Sequence, residues 1–158
     1  MDQEYFCVEL SPSMSLGIPL QDMKTVAQFE TQNICVVPGI ADFWSGVVNF
    51  KGSLLWVLDS DLYFNLGNKL DPLRKKVTTV VLKHQLEENQ RQIALITKKL
   101  VGIISVEPNH LQQFPEQASP ILRDCCSAFV DVEARNTYLL NSANLFQQLH
   151  QQSTLVSV

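Results

Sequence analysis

The chain reads as an all-β protein built from two small barrels. Three observations predict this: about ten short runs of strand character, turn signals between most of them, and one internal echo. In the echo, Leu58-Asp59-Ser60 leads into Tyr63-Phe64, and Leu140-Asn141-Ser142 leads into Leu145-Phe146 at the same offsets. Each is a strand running into a capped short helix, placed where two similar subdomains would end.

Residues 4–10 (EYFCVEL) alternate loosely and predict a first strand; after a Ser-Pro-Ser turn, residues 14–19 return beside it. Leu20, Met23, Val26 and Ala27 fall at helical spacing, which predicts about two helical turns over residues 20–29. Residues 33–37 (NICVV) read as a strand ended by Pro38-Gly39, and Asp42 is placed to cap a single turn through Phe43 and Trp44. Asp59 or Ser60 then caps a short helix that Gly67 closes, and residues 68–76 form a loop containing Pro72. Residues 77–82 (VTTVVL) and 93–97 predict a hairpin with a long polar tip, 85–92, and residues 100–106 a further strand. Three prolines make 107–123 extended and irregular. Residues 128–133 and 137–140 pair around Ala134-Arg135-Asn136, an amphipathic helix covers 142–151, and a frayed tail takes the remaining residues to 158.

Two β-rich runs, 44–50 and 54–58, are joined by Asn49-Phe50-Lys51-Gly52. Asn at the first place and Gly at the fourth are what a type I turn prefers. The turn lifts one cationic side chain, Lys51, off an apolar hairpin.

Composition narrows the function. The chain of 158 residues suits one domain of two packed halves, and 46% apolar content supplies a core. A formal net charge of −4 argues against nucleic acid, and the cluster Arg74-Lys75-Lys76 beside Asp71 reads as a solvated loop. No apolar run reaches the ~18 residues of a membrane span, and the acidic start MDQEYF lacks a signal peptide's basic region. The four cysteines match no zinc or redox spacing and read as small buried hydrophobes in a reducing, cytoplasmic compartment.

Catalytic chemistry is hard to find. His84, His110 and His150 lie far apart, without metal-ligand spacing. Asp59 and Asp61 form a carboxylate pair, yet a helix start explains them. Gly46 and Gly52 precede no phosphate-cradling helix, and there is no GxSxG elbow. The reading is a non-enzyme with no cofactor and no metal.

The run Val37-Pro38 … Ser45-Gly46-Val47-Val48-Asn49-Phe50-Lys51-Gly52 … Trp56-Val57-Leu58-Asp59 resembles the signature of the CheW family. The likeness extends over about residues 4–150: Tyr5 onward resembles the opening strand, Gly17-Ile18-Pro19-Leu20 with Met23 and Val26 a later segment, and 77–82, 94–106 and 138–149 the later strands and last helix. The resemblance implies two packed five-stranded SH3-like β-barrels with a few short helices. It implies a non-catalytic coupling adaptor that joins a chemoreceptor-type transducer to a CheA-type histidine kinase, in a flagellar, pilus or phototaxis pathway.

By that resemblance Met23, Thr25, Gly46, Asn49, Lys51 and Gly52 fall at the receptor-binding positions. Lys51 stands where the family usually has Arg, so the charge remains and the planar fork is lost. Thr25 replaces a Glu, and Lys98 stands where many members have Asp. Phe43 and Trp44 are the candidate kinase-binding residues, as an exposed apolar patch. Two other readings stay open. One is a CheW-like regulator of a different partner, such as a response regulator or pilus-motor protein; the other is a small-ligand or hydrolytic barrel resting on the scattered His and Asp.

Overall fold

The structure, a computed structural model, describes residues 2–67, 73–86 and 88–152. Along this chain run β1 (Gln3–Ser11), β2 (Met14–Pro19), β3 (Met23–Glu30), β4 (Trp44–Phe50), β5 (Ser53–Leu58), α1 (Ser60–Tyr63), β6 (Lys76–Leu86) and β7 (Asn89–Thr97). β8 (Lys99–Val106), α2 (Pro120–Cys125), β9 (Cys126–Val132), β10 (Arg135–Leu140) and α3 (Ser142–Gln152) follow.

The strands form two five-stranded sheets, in the orders β8-β1-β2-β10-β9 and β3-β6-β7-β5-β4. Each sheet is antiparallel except for one step, β2 beside β10 and β7 beside β5. The second sheet uses five consecutive strands. The first takes two strands from the start of the chain and three from the end.

The two orders superimpose position by position, and the internal echo is a structural repeat. Val47 pairs with Trp56 as Phe129 pairs with Tyr138, and Trp56 meets Ile93 as Tyr138 meets Leu16. The Asp59 N–H donates to the Phe43 carbonyl, and the Asn141 N–H to that of Cys125, both at 2.8 Å. Neither sheet closes: among the described residues no ladder joins β8 to β9 or β3 to β4.

Burial explains the unbroken apolar runs. On β7, Ile93 and Leu95 face a core shared by both sheets and all three helices, while Ala94 and Ile96 face a smaller core belonging to their own sheet. Val80 and Leu82 on β6 share the first, and Val77 and Val81 the second. A strand buried on both faces has no polar side to alternate with. Each such Val, Leu or Ile contributes about 1.5–3 kcal/mol, so the shared core welds the halves together.

Several local expectations are corrected. Residues 20–29 are a 3₁₀ turn at Leu20–Asp22 followed by β3, not a helix. An isolated two-turn helix is marginal. Thr25, Val26 and Phe29 favour a strand, and β6 supplies a ladder from Met23↔Leu82 to Glu30↔Lys76. The expected strand at 33–37 is a 3₁₀ turn at Thr31–Asn33 and a single bridge, Cys35↔Val47. The long polar tip is short, because the ladder continues through His84↔Arg91 and Gln85↔Gln90 to Leu86↔Asn89.

The stretch 107–123 holds a 3₁₀ turn at Pro108–His110 and the start of α2, where Pro120 opens the helix and Ser119 Oγ accepts from the Leu122 N–H. Asn65 (φ +56), not Gly67, ends α1: the Leu66 N–H donates to Asp61 O and the Asn65 N–H to Leu62 O, a Schellman pair. The second hairpin turns at Glu133-Ala134, one step earlier than expected. The expected loop at 68–72 and tail at 153–158 lie outside the described residues.

Candidate docking surfaces

The β4–β5 hairpin closes more tightly than a type I turn. Phe50 pairs with Ser53, and both residues between them are left-handed, Lys51 at φ +53 and Gly52 at φ +84. That is a two-residue type I′ loop, whose twist matches the flanking strands where type I would splay them. Asn49 braces the loop from the preceding strand: its Oδ1 accepts the Gly52 N–H at 3.1 Å. Lys51 does not stand free of the hairpin but lies back over the Phe50 ring, Nζ 5.2 Å from the centroid.

Beside the turn is an open cleft of about 400 Å³ lined by Lys24, Phe50, Lys51, Leu54, Trp56 and Arg91, among others. Leu54 is 73% exposed. Met23 and Thr25 are partly buried on β3, and the exposed residue between them, Lys24, is the one that reaches this cleft. Gly46 lies apart from it, buried at the other end of β4 beneath Cys35. Three cations and an exposed leucine thus come together from β3, β5, β7 and the turn.

The expected exposed pair Phe43–Trp44 is corrected. Trp44 is only 4% exposed and sits in the shared core, its ring 5.6 Å from Trp56. Phe43 is half-buried and meets Tyr63 edge-on at 4.9 Å. Indole and phenyl rings this large contribute most when desolvated, and the chain turns them inward from a site where α1 can cover them. What is exposed lies next to them. A groove of about 450 Å³ is lined by Ile34, Val36, Val37, Ile40, Leu62 and Arg74, among others, with Val36 80% and Leu62 52% exposed. Arg74 is half-buried in this groove, so the basic cluster is more than a solvated loop.

Reactive chemistry is muted elsewhere. Burial pushes the Cys125 thiol up to about 11, and burial likewise raises Cys126, Cys7 and Tyr63. A thiol held protonated is a poor nucleophile. Cys35 is exposed, contrary to the buried reading of all four cysteines. Among the described residues no three His, Cys, Asp or Glu side chains group as a metal site would require.

The fold and these surfaces define a class: a scaffold of two repeated sheets with open, partly apolar clefts on its surface. A family model described as CheW-like domain matches residues 4–150. The chain belongs to the CheW family. Its fold is similar to the crystal structure of the scaffolding protein TtCheW from Thermoanaerobacter tengcongensis, with a TM-score of 0.69 over 89% of this chain and 90% of that one, at 15% sequence identity. No curated protein matches the chain by sequence.

Proposed function

We propose that the protein is a non-catalytic coupling adaptor joining a chemoreceptor-type transducer to a CheA-type histidine kinase. The observation that carries this is the CheW-like domain match across 4–150, on a body of two repeated sheets. Each sheet is read as an SH3-like barrel left open between its end strands. The cleft of Lys24, Lys51, Arg91 and Leu54 takes an acidic, partly apolar receptor segment. The groove of Val36, Ile40 and Leu62, with Arg74, takes the kinase regulatory domain, while Phe43 and Trp44 support it from below. No helix among the described residues is long and apolar enough to cross a membrane. The proposed location follows from the proposed partners: the cytoplasm, by recruitment to membrane-associated receptor arrays.

Co-sedimentation with receptor signalling domains and a CheA-type regulatory domain from the source organism tests the reading. Lys51→Glu is expected to weaken receptor binding about tenfold, near 1.4 kcal/mol, and leave the kinase bound; Leu62→Asp does the reverse. Failure to bind either partner would sink the proposal. The uncharged Thr25 and the all-cationic cleft favour a second reading, a different acidic partner such as a response regulator or pilus-motor protein. That reading gains if receptor coupling survives Lys51→Glu unaltered.

A further inference from the structure

An open sheet has two edge strands, and an uncovered edge offers a row of backbone donors and acceptors to another chain. Three of the four edges here are dealt with. β4 is bridged by Cys35, whose N–H donates to Val47 O at 2.8 Å and whose carbonyl accepts the Val47 N–H at 2.9 Å. β9 is bridged by Gln112, whose N–H donates to Phe129 O at 2.8 Å. β3 is open, but its exposed residues are Lys24, Gln28 and Glu30, which are well solvated and discourage pairing.

β8, the counterpart of β3, is different. Among the described residues it is laddered to β1 alone, and it exposes Leu100, Val101 and Ile103, the last at 60%. Leu111, just beyond, is also exposed. A bulge at Val101 twists the first half of the strand, and residues 103–106 then run in regular register. The two ends carry opposite charge: Lys98 and Lys99 at the start, Glu107 after the end, all exposed. Glu107 has an exposed neighbour, His110, at 3.6 Å.

This pattern is complementary to itself. Antiparallel pairing of β8 with β8 of a second copy, about a twofold axis near Ile103, brings the basic start of each alongside the acidic end of the other. It also covers the apolar side chains between them and gives the free backbone groups partners. We propose that the protein self-associates in this way, as a twofold dimer through β8. The few residues of straight ladder make a small interface, so the dimer is weak and depends on concentration. The proposal stands independently of the adaptor reading.

Sedimentation equilibrium from micromolar to millimolar protein tests it. The wild-type mass is expected to rise from the 17.8 kDa monomer toward twice that value. Ile103→Lys, at an exposed position, is expected to remain monomeric throughout. Lys99→Glu and Glu107→Lys each weaken association about fivefold or more through like-charge contacts. Mixed in equal amounts, these two variants recover it, because each supplies the charge the other lacks. A wild type that stays monomeric overturns the proposal, as does a dimer that Ile103→Lys leaves intact or a mixture no more associated than its components.

Discussion

The β4–β5 and β9–β10 hairpins hold equivalent places in the two sheets and are made of different residues. Both turn through two left-handed positions, Lys51-Gly52 in one and Glu133-Ala134 in the other. Both lead into a capped helix. Asp59 Oδ1 accepts the N–H groups of Asp61 and Leu62 at 3.0 and 3.2 Å, and Asn141 Oδ1 accepts that of Asn144 at 3.1 Å. They part at the outer edge. Gly46 has φ +142, and a Cβ on it would run into the carbonyl of Cys35, whose oxygen accepts the Val47 N–H of β4 while its own N–H donates to Val47 O. Its counterpart is Ala128, next to the single Gln112 bond. The topology is indifferent to side-chain size at this position; the nearness of the crossing loop decides it. One hairpin is locked and cationic at its tip, the other looser and acidic.

The sharpest way to break this comparison is to exchange the two edge residues. Gly46→Ala is expected to cost about 3 kcal/mol or more, since it adds both strain and a backbone collision. Ala128→Gly should cost about 1 kcal/mol or less. Urea unfolding of both variants measures the difference, and similar losses would mean that the two edges are closed alike.

Next in size is a pH effect. Cys125 stands where the other half has Phe43, and burial raises its thiol from the ordinary 9.0 to about 11. The folded state therefore holds this proton more tightly than the unfolded chain does. Its contribution is intact below pH 9.0 and is lost as the pH climbs toward about 11. Tyr63, raised first by burial and then by Cys125, acts in the same direction. Unfolding midpoints should fall over that interval, less steeply in Cys125→Ala; a flat profile would contradict the assignment.

The caps come third. Asp59→Ala should destabilise by about 1–2 kcal/mol, and Asn141→Ala, which loses one bond rather than two, by about 1 kcal/mol or less. Calorimetric melting of the pair would show whether the second bond counts. The smallest effect has the opposite sign. Ala134 carries a Cβ in a left-handed position, so Ala134→Gly should stabilise by about 0.5–1 kcal/mol, while Gly52→Ala in the matching turn destabilises.

Much of this architecture can be read from residue order. Continuous runs such as VTTVVL signal strands buried on both faces, and the repeated Leu-Asp/Asn-Ser step marks both strand-to-helix junctions. The β3 segment misleads because Met23, Val26 and Ala27 fit a helical period by chance, while pairing with β6 settles the matter across a long loop. The site is legible only in part. The turn carrying Lys51 announces itself through Asn49 and Gly52, which lie three positions apart in one short segment. Lys24 and Leu54, or Val36, Leu62 and Arg74, come from separate segments that only the folded sheets bring together. Trp44 looks like an exposed anchor because no local pattern tells that its ring will turn into the core shared by both sheets.

The first sheet draws β1 and β2 from one end of the chain and β8, β9 and β10 from the other. During synthesis β1 and β2, which pair with each other, therefore emerge from the ribosome well before their outer partners β8 and β10, whereas β3 to β7 can assemble as soon as β7 appears. The second sheet becomes the template, and the parallel step between β2 and β10 is the last stitch. Until it closes, the apolar faces of Val8, Leu16 and Ile18 have only half their cover. The nascent adaptor is thus expected to be most prone to mispairing just before its final strand is made. Pulsed proteolysis of stalled nascent chains would register this as protection arriving first at β6 and β7 and last at β2 and β10.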